Sequence, residues 1–442
     1  MKFYVHKLGC PKNDVDADYI SARLISDGHE PVTVPEDAET IIVNTCGFIL
    51  PAKEESIQAL LQLSQLKNKG RLKAIYAAGC LSQRNGNELI KGIPELDGAF
   101  GLGELDSIAD AVGKSLKIKK TIKIEAQKLE YLTWNNRYID NNKPYAYLKI
   151  SDGCNRLCSY CAIPSIRGKY RSRSMESILK EAEYLAQNGK KELILVSQEA
   201  TLYGYDYIEN KNLNIITLLK ELDKIDGVEW IRLMYLYPSQ VTPALIEHMA
   251  GNNKTLNYFD LPLQHINNDI LKAMHRQTER KEIEKLITTI RAKSPDATIR
   301  TTFIVGFPGE TEKQFEELKE FVSDFKFDRM GVFIYSLEEG TVAAKMENQI
   351  SENIKIQRMD ELMTIQQKIA FAKNNSLIGK RLNVIIDSIN ESNLAQGRSE
   401  TDCPEIDQEV IINGDHLRIG DIYQAEIVAV EGYDLKGIIK VG

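Results

Sequence analysis

The sequence predicts an α/β protein in three parts: an N-terminal parallel α/β domain, a central βα barrel and a small C-terminal β-barrel. Three observations predict it. Short apolar runs alternate with helix-patterned stretches through residues 1–125. From Tyr145 a second series of six βα units follows at a spacing of roughly 30 to 40 residues. Residues 376–442 then break into short strands divided by Gly, Asn and Asp. The expected domains are 1–125, 140–374 and 376–442. A chain of 442 residues with 43% hydrophobic and 27% charged side chains has room for real cores, which excludes an isolated binding module. No stretch approaches the ~18 apolar residues of a membrane helix. The opening MKFYVHKLGCPKN lacks the order of regions of a secretion signal, so a cytoplasmic protein without membrane contact is expected.

Each element follows from its pattern. KFYVHKLG, TIIVNTC and KAIYAAGC read as strands, with VDADYISARLISDG and KEESIQALLQLSQLK as the helices between them; Gly28 and Gly70 fall where those helices should stop. The lysine-rich stretch 114–123 reads as the connection out of this domain. AYLKI, ELILVSQE, WIRLMYLYP, NYFDLPLQ, TIRTTFIVGF and RMGVFIYS read as the strands of an incomplete or full barrel, with helices such as MESILKEAEYLAQNG and KQFEELKEFVSDF between them. Chemistry is expected at the C-terminal ends of such strands. The helix ENIKIQRMDELMTIQQKIAFAKNN closes the domain, and RLNVIIDSI, EVIING and IYQAEIVAVEG read as strands of the last one.

The cysteines carry the chemistry. Seven of them, an odd number with no export signal, argue for metal or catalytic use over a disulfide framework. Cys154, Cys158 and Cys161 form C-x3-C-x2-C directly after the first barrel strand, a spacing that chance would give about 0.002 times in a chain of this composition. Three thiolates on one short loop can each hold one iron of a cubane cluster and leave the fourth iron open. Cys10, Cys46 and Cys80 each end one of three successive N-terminal strands, so a parallel sheet brings all three thiols to one edge, where open α/β sheets bind ligands. Gly9, Gly47 and Gly79 beside them let backbone approach a bulky group. A second three-Cys cluster is the reading favoured, with three buried thiols as its competitor. Cys403 reads as structural.

The C-x3-C-x2-C loop after a barrel strand resembles the radical S-adenosylmethionine (radical SAM) superfamily. That resemblance implies a [4Fe-4S] cluster on Cys154, Cys158 and Cys161 as the catalytic centre, with SAM bound at its open iron and split by one electron. It also implies SAM contacts from Tyr160, before the last ligand, from Gln198 and Glu199 at the second strand end, and from Gly306 in FIVGFPGE. Strand ends and turns need polar residues and glycine in any case. Two three-Cys sets, one opposite a barrel mouth, resemble the methylthiotransferases, which join an α/β domain, a radical SAM barrel and a C-terminal TRAM domain. This resemblance covers essentially the whole chain and implies two [4Fe-4S] clusters, the second on Cys10, Cys46 and Cys80. LGCPKNDVDAD, CAIPSIRGKYRSR, LPLQHI with His275 and Arg276, and GRSETDCPEID resemble the branch that modifies an aspartate of ribosomal protein S12, whereas tRNA-modifying relatives usually open with a GCQMN-type motif. Ala17 departs from the Ser found after the aspartate in many members.

What the resemblance implies is methylthio transfer to the β-carbon of that aspartate, with ribosomal protein S12 and a reductant such as flavodoxin or ferredoxin as partners. The competing functions are tRNA adenosine methylthiolation and, more distantly, iron-sulfur electron transfer without radical chemistry. Charge bears on the choice. From Lys380 to Gly442 six basic side chains face twelve acidic ones, so almost the whole net charge of -7 lies there. Such a barrel should repel RNA and suit a basic protein partner, with Glu400, Asp402, Glu405 and Asp407 as candidate docking acids; a solvated acidic face is the plainer alternative, and RNA contact stays open. Arg167, Lys169, Arg171 and Arg173 form a basic run that fits either a SAM or substrate carboxylate or a surface strand. His265 fits the active-site lining or a hydrogen-bonded structural role, and His6 a structural one.

Overall fold

The computed structural model describes residues 1–114, 121–124, 137–140, 142–208, 212–252, 254–414 and 416–439. The N-terminal part runs β1 (Lys2–Lys7), α1 (Pro11–Ser26), β2 (Glu30–Pro31), β3 (Thr40–Thr45), α2 (Leu50–Ser64), β4 (Ala74–Gly79), α3 (Cys80–Gly92), β5 (Gly98–Phe100), α4 (Leu105–Lys114) and β6 (Thr121–Lys123). Its strands form one parallel sheet in the order β2-β1-β3-β4-β5-β6. β3 and β4 are buried on both faces, which is why TIIVNT and AIYAAG lack polar alternation. One face packs Ile41, Val43, Ile75 and Ala77 against Leu60 and Leu89, and the other packs Ile42, Tyr76 and Ala78 against Ile20, Leu24 and Ile108. Gly28 and Gly70 take left-handed φ of 81° and 86°, as residues that stop helical turns do. The connection expected at 114–123 is partly otherwise: Thr121–Lys123 pairs with β5, completing the backbone ladder on that edge of the sheet. Residues 115–120 lie outside the described residues.

The central part runs β7 (Tyr145–Lys149), β8 (Ser151–Asp152), α5 (Ile163–Arg167), β9 (Arg171–Ser172), α6 (Met175–Gln187), β10 (Glu192–Val196), α7 (Ile215–Leu222), β11 (Trp230–Leu233), α8 (Pro243–Ala250), β12 (Tyr258–Gln264), α9 (Asn268–Ala273), α10 (Arg280–Lys293), β13 (Thr298–Val305), α11 (Glu312–Phe325), β14 (Arg329–Ile334) and α12 (Glu352–Asn375). All six expected barrel strands are present. They form two parallel three-stranded sheets, β11-β10-β7 and β12-β13-β14, that abut at an isolated bridge between Ile231 and Thr255. Among the described residues no ladder joins β7 to β14, so the barrel is partial. Leu148, Leu195, Leu233, Leu261 and Phe303 point outward into a core with Ile178, Leu219, Ile287 and Leu318 of the covering helices.

The C-terminal part is a closed barrel of β15 (Arg381–Ile389), β16 (Leu394–Ser399), β17 (Val410–Asn413), β18 (Ile422–Glu431) and β19 (Asp434–Ile438), ordered β15-β16-β17-β19-β18. Val384, Ile386, Ala395, Ile412, Ala425 and Ile427 fill it. β16 and β19 were not legible because each carries an interior glycine; Gly397 is required where a Cβ would lie 2.7 Å from Val384 Cγ1.

The N-terminal part covers the C-terminal strand ends of the partial barrel, and the C-terminal barrel closes the opposite end. Segment 398–407 reaches every barrel strand. Glu405 accepts from Tyr145 and Tyr147 of β7 at 2.9 and 3.0 Å, and Arg398 donates to Glu192 of β10 at 2.7 Å. Arg232 of β11 donates to the Glu400 carbonyl at 3.0 Å. Asp407 accepts from Tyr258 of β12 at 2.6 Å and lies 3.5 Å from Arg300 of β13, and Asp402 accepts from Arg329 of β14 at 2.9 Å. This corrects the expectation for Asp402, Glu405 and Asp407 as docking acids, whereas the Glu400 carboxylate is exposed and accepts from Asn383 at 2.7 Å. Asp402 is fully buried, and Asp402, Asp407 and Glu405 are matched internally to Arg329, Arg300 and Lys143.

Candidate active site and metal centre

The three N-terminal thiols emerge together at the C-terminal edge of adjacent parallel strands. Cys10 caps α1, Cys46 follows β3, and Cys80 opens α3. Helix N-termini favour the negative charge of thiolates and of ligands bound to them, and two of the three cysteines sit at one. A Cβ on Gly9 would lie 2.7 Å from Cys46 Cβ and 2.9 Å from its Sγ, so only glycine lets the Cys10 loop approach so closely. Asn13 ties the three loops: its amide donates to the carbonyls of Leu8 and Thr45 at 3.0 Å each, and its Oδ1 lies 3.6 Å from Cys80 Sγ. Burial raises the Cys46 thiol and pushes Cys80 up to about 12, against the pull of Arg167 on both.

The second set lies on the loop between β8 and α5. Gly153 opens that loop at φ 78°, where a Cβ would meet the Gly168 carbonyl oxygen at 2.7 Å. Each sulfur has an N–H donor: the Arg156 amide to Cys154 at 3.3 Å, the Ile163 amide to Cys161 at 3.5 Å, and Arg276 to Cys158 at 3.8 Å. Burial raises Cys154 to about 11 and Cys161 to about 12. Thiols this basic bind iron only by losing their protons to it, and donors aimed at sulfur suit the anionic ligands that result. Among the described residues no three His, Cys, Asp or Glu side chains are drawn together tightly enough to hold a single metal ion.

The softer expectations divide. Tyr160 is half-buried and packs with Ile270, Met274, Phe307 and Tyr335 beside the cysteine loop. Gln198 lies two residues past β10 with both amide atoms buried and, among the described residues, unpartnered; such an amide fits a ligand. Glu199 takes Arg156 on its two oxygens at 2.7 and 2.8 Å and so holds the cysteine loop. Gly306 makes the turn after β13 at φ 69°, its amide donating to Glu310, under the Lys355 side chain. His265 is buried, with Nδ1 accepting from the Asn267 amide at 3.0 Å and Nε2 3.6 Å from Glu310, so it supports that turn from within. His6 stands 3.5 Å from the Tyr4 hydroxyl on β1.

The basic run is half internal. Arg173 is buried against Glu181, and Arg167 is buried between Asp152 at 3.2 Å, Asp16 at 3.1 Å and Asn13 at 2.7 Å, with Cys80 Sγ at 3.3 Å. Arg167 thus spans from the helix after the second cysteine set to a thiol of the first. Arg276, singled out only by its motif, and Arg156 stack on the Tyr237 ring from 4.2 and 4.0 Å. Asn13, Asp152 and Glu338 went unread because lone polar residues carry no spacing signal. Glu338, buried after β14, holds Lys53 of α2 and also Arg84 of α3 at 2.7 Å, while Ser336 accepts from the Leu50 amide at 3.3 Å. No helix among the described residues is long and apolar enough to cross a membrane.

Known families divide the chain in the same order. Residues 2–101 match the uncharacterized protein family UPF0004, residues 148–322 the radical SAM superfamily and residues 378–439 the TRAM domain. Membership of the radical SAM superfamily implies a [4Fe-4S] cluster and SAM. Among solved structures, the radical SAM methyltransferase TsrM of Kitasatospora setae superimposes with a TM-score of 0.55 at 14% identity, covering 76% of this chain and 72% of that one, which is a likeness of fold. Ribosomal protein uS12 methylthiotransferases RimO are far nearer in sequence. That of Syntrophomonas wolfei is 46% identical over 97% of this chain and 98% of its own, and that of Thermoanaerobacter sp. (strain X514) matches to the same extent. The Bdellovibrio bacteriovorus protein is 44% identical over 100% of this chain and 98% of its own. At such identity over nearly the full length, the chain belongs to the family of ribosomal protein uS12 methylthiotransferases.

Proposed function

We propose that the protein adds a methylthio group to the β-carbon of an aspartate in ribosomal protein uS12, using two [4Fe-4S] clusters, on Cys10, Cys46 and Cys80 and on Cys154, Cys158 and Cys161. The observation that carries this reading is that Arg167, at the end of the helix after the second cysteine set, donates to Cys80 of the first at 3.3 Å. The target C–H bond is unactivated, so side-chain acid-base chemistry cannot remove its proton. What bound SAM and the cluster on the barrel loop supply is a one-electron route to breaking that bond.

The chain's own residues do the rest. Gly153 and the Arg156–Glu199 pair hold the barrel loop in shape, and the donors on sulfur stabilise its anionic form. Gln198 offers a free amide and Tyr160 a ring face to SAM. Asn13 and the α1 and α3 N-termini hold the other set. A reductant of the flavodoxin or ferredoxin type supplies the electron. The chain's three parts in this reading are 1–125, 140–374 and 376–442.

Cysteine variants reconstituted anaerobically test this. Alanine at Cys154, Cys158 or Cys161 should abolish formation of 5'-deoxyadenosine from SAM. Alanine at Cys10, Cys46 or Cys80 should leave that cleavage, stop methylthio transfer to uS12 and lower iron content to roughly half. Full iron and full transfer in any of the latter three would remove that residue from the proposed ligand set.

A further inference from the structure

The buried cations at the barrel mouth divide by what neutralises them. Arg156 lies against Glu199, Arg167 between Asp16 and Asp152, and Lys149 beside Asp16. Lys12 is different. It is 7% exposed and sits two residues after Cys10. Its Nζ meets the Ser197 carbonyl oxygen at 3.3 Å and the Tyr235 ring 3.4 Å from its centroid, and among the described residues it has no carboxylate partner. Its main electrostatic neighbours are Tyr235, Cys10 and Arg167, the last a second cation. A buried ammonium without a counter-ion is strongly unfavourable, and a fold that keeps one supplies the anion from elsewhere.

Its surroundings point the same way. Ser197 and Tyr235 follow β10 and β11, so the ammonium hangs over the C-terminal ends of those strands. Tyr235 holds its ring there from a left-handed backbone, φ 62°, a conformation that strains a bulky residue. Gln198, with its unpartnered amide, adjoins Ser197.

We propose that Lys12 binds the side-chain carboxylate of the substrate aspartate. The inference rests on the methylthio-transfer reading above. The carboxylate is bonded directly to the reacting carbon, so holding one fixes the other, and the charge distinguishes aspartate from asparagine.

The test uses holoenzyme and two uS12 peptides, one with the target aspartate and one with asparagine in its place. Binding is read by calorimetry without turnover, and transfer by mass spectrometry. The wild type should favour the aspartate peptide by roughly 10- to 100-fold in Kd. Lys12→Gln and Lys12→Met should bind the two peptides within about threefold of each other, while Lys12→Arg, which keeps the charge, retains a preference. Iron content checks that the variants are folded and loaded. A Lys12→Gln enzyme that keeps the wild-type preference overturns the proposal, as does one whose preference persists while iron is lost, which would make Lys12 a counter-charge for the thiolates. Wild type that modifies uS12 without distinguishing the peptides sinks this inference alone; wild type that never modifies uS12 sinks the reading beneath it.

Discussion

Asp14 lies in the first turn of α1, where the helix dipole favours a carboxylate, yet its pKa is raised to about 6. Burial is the largest cause; Glu405 and Asp18 add repulsion, against the pull of Lys7 and Lys143. An acid whose folded pKa lies above its unfolded value of about 3.9 binds its proton more tightly in the folded state. Its stabilising contribution is therefore present below about pH 4 and lost as pH rises through about 6. Asp14→Asn should be more stable than wild type by about 1 to 2 kcal/mol at pH 7.5 and should lose the fall in stability between pH 4 and 6. Urea unfolding across that range checks it, and an unchanged slope would show that Asp14 titrates normally.

At the scale of elements, segment 398–407 acts as a floor for a barrel that does not close on itself. Its ten residues engage β7, β10, β11, β12, β13 and β14, across both the bridge at Ile231 and the open side between β7 and β14. Truncating Asp402 leaves Arg329 buried without its anion, so Asp402→Ala should cost about 3 to 5 kcal/mol in denaturant unfolding. A cost below about 1 kcal/mol would mean that the floor is dispensable. Reversing Glu400, Asp402, Glu405 and Asp407 to lysine should accordingly unfold the protein, where surface acids would only have changed binding rates.

Across the whole molecule, the two cysteine sets lie on different domains, so their separation depends on contacts between domains. Glu338 makes the outer one, holding Lys53 and Arg84 from the lip of the barrel. Glu338→Gln weakens both ion pairs without touching either thiol set. Methylthio transfer should fall by roughly 10- to 100-fold, because misplacement of about 1 Å between reacting groups has that effect, while substrate-free SAM cleavage stays within about twofold. Parallel assays of both reactions on one preparation decide it. Equal losses would assign Glu338 to folding instead.

The sequence by itself determined the layered architecture, all six barrel strands and the sharing of one sheet edge by Cys10, Cys46 and Cys80. Periodicity and spacing are local properties, and a parallel sheet converts strand ends into neighbours without further information. It also carried the family, through motifs spread over the full length. Only the tertiary structure decided where charge goes. The acids of the C-terminal tail read as a docking face because a charge count cannot distinguish solvent from a partner hundreds of residues away, yet Asp402 meets Arg329, Asp407 meets Tyr258, and Arg398 meets Glu192 across a domain boundary. Lys12 was invisible for the same reason, and Arg167 was legible only as part of a basic run. Pairing of buried ions is set by which strand ends face one another after folding, and a buried cation without a carboxylate among the described residues can be recognised only when the other pairings are known.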